Sequence, residues 1–343
     1  MIHQRLTRGE PRCRLIVAIA MLVACLPSLA WAEATEIRFA QQFSMGYLQF
    51  NVMKHRDLLE KHVAAAGLPA MKVSWVTFNG PDMMNDALLS GSIDVASGGM
   101  PGLLTIWAKT HGTSQEVRGV ASMSQQPLLL VSRNPKVHSI SDLTSADRIA
   151  LPAVKVSAQA VLLEMAAAKA WGDSAYDKLD GLTFSLSPPD ATAGILSGSA
   201  DFNAAFTVPP YQNMQLRDPA IHTVLSSFDV IGPSSGGTAW TSKRFHDANP
   251  KLYRALLDAM QEASEFIAAH PKDVVAYYAA DSKARIDTAL MEGLMEDPHF
   301  KYTLTPHSSM QWATFMHKVG RIKVAPQSWK DLFWPEIHDL DGS

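Results

Sequence analysis

Cysteine is nearly absent. The 343-residue chain holds two, Cys13 and Cys25, both close to its N-terminus. Beyond residue 25 there is no thiol for a disulfide, a cysteine-based metal site or a cysteine nucleophile. Charge is sparse as well, 18% of residues against the usual figure of about 25%. Neither sign dominates, and the net charge is −3. No apolar run after residue 32 approaches the ~20 residues that a membrane helix needs. Gly-x-Ser-x-Gly and a phosphate-cradling Gly-Lys-Ser/Thr loop are both missing. His55 and His62 have no carboxylates spaced to complete a metal site, and His299, His307 and His317 are dispersed. These gaps point away from metal, cofactor and nucleophile chemistry.

The N-terminus is distinctive. Arg5, Arg8, Arg12 and Arg14 precede the apolar run Leu15–Cys25, then Pro27 and Ala30-Trp31-Ala32. A basic region, a short apolar core and a small-x-small site describe a secretory signal peptide over residues 1–32, cut after Ala32. A second reading is open: Leu22-Val23-Ala24-Cys25 fits the site at which bacterial lipoproteins are cut and lipidated, here on Cys25. Its tether, Leu26–Ala32, would be short and apolar where such tethers are polar and flexible. Removal of the leader takes four Arg and one Glu, so 26 basic residues face 32 acidic ones, a charge of −6. That balance argues against nucleic acid and anionic membrane as partners.

Residues 88–97, Leu-Leu-Ser-Gly-Ser-Ile-Asp-Val-Ala-Ser, return at 195–204 as Ile-Leu-Ser-Gly-Ser-Ala-Asp-Phe-Asn-Ala. Each copy follows a Pro-Asp pair, Pro81-Asp82 and Pro189-Asp190, whose Asp is placed to cap a helix. Gly91 and Gly198 suit the left-handed residue that ends one. A strand–helix–Gly–strand unit in each half implies two similar α/β lobes with a cleft between them.

Along the chain the pattern predicts a strand at 36–40, a helix over 46–66 stopped by Gly67, a strand at 72–78 and a helix at 82–90. A strand at 93–96 and a helix at 101–109 complete a βαβα order, which favours a parallel sheet flanked by helices. The first crossover falls near Ser122–Pro127. Strands are predicted at 128–131, 148–151 and 221–225, a capped turn at Ser139–Leu143, and a helix at 158–170. The Gly/Pro-rich stretch 228–237 is the second crossover. Helices follow at 250–269, 271–280, 285–296 and about 306–320, packing back on the first lobe. The expected lobes are therefore discontinuous, 33–123 with 232–343, and 124–231.

This layout resembles the substrate-binding proteins of ABC importers, of the nitrate/sulfonate/taurine and thiamine-precursor type. The resemblance is carried by Ile37–Gln42, by Ala87–Ala96 with Gly98-Gly99 and Pro101, and by Ile140-Ser141-Asp142-Leu143 before Ile149-Ala150-Leu151-Pro152. Ala239-Trp240-Thr241-Ser242, Gly320-Arg321-Ile322 and Ser328–Phe333 extend it to the C-terminus. It implies an α/β fold of the type II periplasmic binding protein kind: two Rossmann-like lobes joined by two hinge crossovers, closing on ligand like a clamp. It also implies a periplasmic monomer that carries a small anion to an inner-membrane permease driven by a separate ATPase. It leaves the ligand open.

Ligands in open α/β sheets sit beyond the carboxyl ends of the strands, where helix N-termini offer free amides and partial positive charge. Four loops qualify: 41–47, 97–100, 154–159 and 207–210. The candidate contacts are Gln41, Gln42, Phe43, Tyr47, Ser97, Gly98, Gly99, Met100, Lys155, Ser157, Gln159 and Thr207. Ser44, Ser97, Ser157 and Thr207 bring hydroxyls, which also serve as ordinary helix caps. Lys155 is the one cation in these loops, and its plainer role is a solvated side chain. Two other functions fit the same fold. One is an enzyme related to pyrimidine-precursor synthesis; the other is a sensing module for a membrane receptor.

Overall fold

The computed structural model describes residues 33–198, 201–282 and 286–343. The leader, both cysteines and two residues of the second repeat copy, Ser199 and Ala200, lie outside them. No helix of the described residues is long and apolar enough to cross a membrane.

Two sheets form the frame. The strands are β1 (Glu36–Gln41), β2 (Lys72–Thr77), β3 (Val95–Gly98), β4 (Val117–Gln125), β5 (Leu129–Ser132), β6 (Ile149–Leu151), β7 (Thr183–Ser185), β8 (Ala204–Phe206), β9 (His222–Ser226), β10 (Ser235–Ser242) and β11 (Lys301–Tyr302). The first sheet runs β11-β4-β10-β3-β1-β2 and the second β7-β6-β8-β5-β9. The chain passes between them twice, from β4 to β5 and from β9 to β10.

The sheets repeat one pattern. β2-β1-β3 and β7-β6-β8 are parallel trios, and each continues into two antiparallel neighbours, β10 and β4 in one case, β5 and β9 in the other. The duplicated ten residues lead into β3 and β8, the third strands of the two trios. The sheets are thus mixed rather than parallel. β4, β7, β10 and β11 were not anticipated: β4 and β10 are rich in Gly and Ser and buried on both faces, so they lack the alternation that marks a half-buried strand.

The repeat also corrects its own capping. The helix Pro81–Leu89 starts from Gly80, and Pro188–Ser197 starts from Ser187, whose Oγ accepts from the Asp190 amide at 3.3 Å. Pro81 and Pro188 are the equivalent first-turn residues, because proline needs no partner for an amide there. Asp82 and Asp190 lie inside the first turn, where they favour the helix dipole without capping it. Gly91 and Gly198 do take positive φ, 74° and 65°.

The helix expected over 46–66 is broken. A 3-10 turn at Met45–Tyr47 leads to helices Leu48–Arg56 and Leu58–Ala65, with Asp57 between them at φ 50°. In one straight helix Met53 and Leu58 would point ~140° apart. The left-handed residue resets the phase, and both are fully buried.

The C-terminal helices cover the first sheet. Pro250–Ala269 packs on Leu48–Arg56 and Leu58–Ala65, and Ser309–Lys318 packs on Met100–Thr110. Phe333 lies so close to β4 that a side chain at Gly119 would meet its ring at 2.4 Å.

Candidate functional site: helix N-termini facing across the two sheets

Four helices begin around one small cavity. Pro81 opens the helix Pro81–Leu89, Gly99 caps Met100–Thr110, Ser157 caps Ala158–Trp171, and Pro188 opens Pro188–Ser197. All four residues line a space of about 20 Å³. Two of the helices follow strands of the first sheet and two follow strands of the second. Each N-terminus carries roughly half a positive charge from its aligned peptide dipoles. No charged side chain is among the lining residues, and Met100–Thr110 and Ala158–Trp171 carry no acidic residue in their first turns, whereas Asp82 and Asp190 partly offset the dipoles of the other two helices.

The walls touch. A methyl group added at Gly99 would lie 2.8 Å from Ala158 Cβ, and one at Gly80 would lie 3.1 Å from Ala153 Cβ. Met45 N donates to Pro209 O at 2.9 Å, and Ser44 Oγ donates to the same carbonyl at 3.3 Å. A space of about 20 Å³ accommodates little more than one water, so a larger guest requires the two sides to part.

Of the residues expected here, Gln42, Phe43, Tyr47, Gly99, Ser157 and Gln159 line the cavity. Burial raises the Tyr47 phenol well above its ordinary value, so it stays a neutral donor. Gln159 Nε2 donates to Thr207 O at 3.3 Å, and the buried Thr207 Oγ1 donates to Gln215 Oε1. Ser157 Oγ accepts from the Ala160 amide and donates to Ala153 O. Ser97 Oγ donates to Ala40 O, tying β3 to β1. The hydroxyls of Ser157 and Ser97 serve the backbone and that of Thr207 serves Gln215, and what faces the cavity is the helix start itself.

The remaining candidates stand further off. Gln41 lines a neighbouring cavity of about 420 Å³. Gly98 is wedged between Gln42 and Trp240, at 2.7 and 2.8 Å from an added Cβ. Met100 is buried in the core. Lys155 is exposed at φ 67° and is not among the lining residues. Residues not foreseen in the lining include Pro152, Leu128 and Gly236, while Val208 falls in the expected 207–210 loop without having been named as a contact. The one signal for Pro188 was its match to Pro81 when the repeat is aligned on its Ser-Gly.

The profile of the NMT1-like family matches residues 31–280. The chain belongs to that family. This NMT1-like chain is 24% identical over 270 residues to an Escherichia coli (strain K12) protein described as a candidate aliphatic sulfonates-binding protein, covering 77% of each chain. Its fold is that of periplasmic binding proteins. The alkanesulfonate-binding protein SsuA of Xanthomonas axonopodis pv. citri, bound to MOPS, matches with a TM-score of 0.67 at 20% identity, over 86% of this chain and 96% of that one. The periplasmic nitrate-binding protein NrtA of Synechocystis PCC 6803 matches with a TM-score of 0.64 at 16% identity, over 83% and 81%.

Proposed function

We propose that the protein is the extracytoplasmic solute-binding component of an ABC-type importer. It holds a small anion, of the sulfonate or nitrate kind, between its two sheets and delivers it to a membrane permease. The observation that carries this is the convergence of four helix N-termini, two from each sheet, on a cavity without a charged side chain. Such a site offers amides and partial positive charge to an anion. It offers no group suited to proton transfer, which favours binding over catalysis. The sulfonate- and nitrate-binding relatives support the same reading.

The two lobes are assigned as 33–123 with 232–343, and 124–231. The separate sheets and the two passages between them support this division. A guest held from both sides stabilises the closed arrangement by its differential contacts. The basic, apolar and small-x-small leader supports export to the periplasm.

A thermal-shift panel of alkanesulfonates, nitrate, carboxylates and pyrimidines tests the proposal. An anion at a hundred times its dissociation constant adds about 2.7 kcal/mol to stability. Stabilisation by a neutral pyrimidine, with none by any anion, would overturn it.

A further inference from the structure

The two sides of the small cavity meet at Gly99 and Ala158. The helices that start there carry no acidic residue in their first turns, so like partial charges face each other. Contacts elsewhere must hold the sides together. Among the described residues four ion pairs cross between the two assigned lobes: Arg321 with Glu164, Arg321 with Asp180, Lys318 with Asp173, and Arg217 with Asp287. Three of the four rest on one short segment, 318–321.

That segment is fixed to the first lobe. The helix Ser309–Lys318 buries Trp312 and Met316 and packs on Met100–Thr110, and Arg321 N donates to Met316 O at 2.8 Å. Its cations point into a patch of acids on the second lobe. Arg321 Nε donates to Glu164 Oε2 at 3.1 Å, Nη2 reaches Asp180 Oδ2 at 3.1 Å, and Lys318 Nζ pairs with Asp173 Oδ2 at 2.5 Å. Asp177 adds a further negative charge beside Glu164. Glu164 lies about 9 Å along its helix from Ala158, so a tie at Glu164 fixes where that helix start stands against Gly99. The contacts elsewhere are weaker. Arg217 and Asp287 are well exposed, and such pairs contribute little. Tyr211 hydrogen-bonds to Tyr278 in the wall of the 420 Å³ cavity that Trp75 also lines. Only the Arg321 clasp pairs a cation with a carboxylate that is 1% exposed.

We propose, resting on the two-lobe division above, that Arg321 is a positioning residue for solute binding. Its clasp on Glu164 draws the second lobe's helix start against the first lobe and keeps the cleft closed, with Lys318 and Asp173 as an outer tie. Entry to a space of about 20 Å³ requires the lobes to part, so the clasp sets how often the protein loads and releases. A ligand then works on an equilibrium that the protein's own charges have already biased.

Pulsed dipolar spectroscopy of spin labels on solute-free mature protein tests this, at pH 8 where Glu164 is ionised. Residues 33–343 contain no cysteine. Met83→Cys and Leu196→Cys, at exposed sites on a helix of each lobe, therefore give one labelled pair. One short distance is expected in at least about nine-tenths of the molecules. Arg321→Met should move at least about half of them to a longer distance, because its closed state holds an unpaired carboxylate. Arg321→Met together with Glu164→Leu should return them to the short distance, since an apolar pair then replaces the ionic one. Lys318→Glu sets a like charge against Asp173 at an exposed site. It should shift the distances in the same direction without unpairing a buried group, and it decides the matter if Arg321→Met does not fold. An Arg321 that only supports the fold would lower stability and leave the distances alone. A longer distance throughout the wild type, short distances in both Arg321→Met and Lys318→Glu, or a longer distance that persists in the double variant would overturn the clasp. No solute enters the measurement, so failure of every anion in the thermal-shift panel would remove the anion-binding reading and leave the clasp standing.

Discussion

Arg321 clasps Glu164. The carboxylate lies in the middle of the helix Ala158–Trp171 and is 1% exposed. Arg321 Nε donates to Glu164 Oε2 at 3.1 Å, Nη2 donates to Oε1, and Nη2 also reaches Asp180 Oδ2 at 3.1 Å. Arg321 follows the helix Ser309–Lys318, which packs on Met100–Thr110 of the first sheet's layer. The clasp therefore joins the C-terminal segment to the second-sheet helix whose N-terminus lines the small cavity.

Removing the cation should leave the buried carboxylate without its partner. Arg321→Met is expected to lower stability by about 3 kcal/mol near neutral pH. Urea unfolding checks this. A loss below about 1 kcal/mol would mean that the pair is not a structural tie.

The same group sets a pH dependence. Glu164 is raised from 4.5 to about 7, because burial outweighs the pull of the Arg321 bonds and charge, and the charges of Asp180 and Asp177 push with burial. The folded state thus holds the proton more tightly than the unfolded chain. Stability from this group is complete below the unfolded value of 4.5 and is lost as pH rises through about 7. Asp180 is also raised, chiefly by burial, and acts in the same direction. The melting temperature of wild type relative to Glu164→Gln should fall across that window in calorimetry. A rise would contradict the assignment.

Glycine at 99 lets the two helix starts meet. Gly99→Val should hold them apart and weaken ethanesulfonate binding at least about tenfold, with little change in the unfolding midpoint. Titration calorimetry alongside urea unfolding separates the two effects. Undiminished affinity would place the anion elsewhere.

Ser157→Ala should act mainly through the helix. Its Oγ is engaged as cap and donor to the backbone, so the expected cost is about 1 kcal/mol of stability. A large affinity loss with unchanged stability would instead make the hydroxyl a ligand contact.

The predicted cleavage after Ala32 would make Glu33 the first residue. Its carboxylate accepts from the amides of Lys251 and Leu252, at 3.1 and 2.7 Å, at the start of Pro250–Ala269. Intact mass of the exported protein should fit a chain beginning at Glu33. A diacylated or triacylated chain beginning at Cys25 would contradict it.

Local signals were readable in the sequence where chemistry is local. Gly91 and Gly198 ended helices, Ser157 capped one, and the repeated ten residues marked equivalent strands. Asp57 was not readable, since an aspartate carries no sign that it will turn left-handed inside a helical pattern. β10 was hidden because Gly236 and Gly237 read as linker, although they sit there to let Gln126 and Gly46 approach. The helix starts could be placed from strand ends, which is why six of the twelve candidates line the small cavity. Trp75, Tyr211 and Tyr278 could not, because three distant segments meet only after both sheets have formed.

The central claim is that one anion is gripped by helix starts from both sheets. Amide chemical shifts of the labelled mature protein, followed during titration with ethanesulfonate, test it most directly. Saturable shifts are expected at Gly99 and Met100 from the first sheet's side, and together with them at Ala158 and Gln159 from the second. Shifts confined to one side, or none at these four amides while the protein binds, would contradict the account.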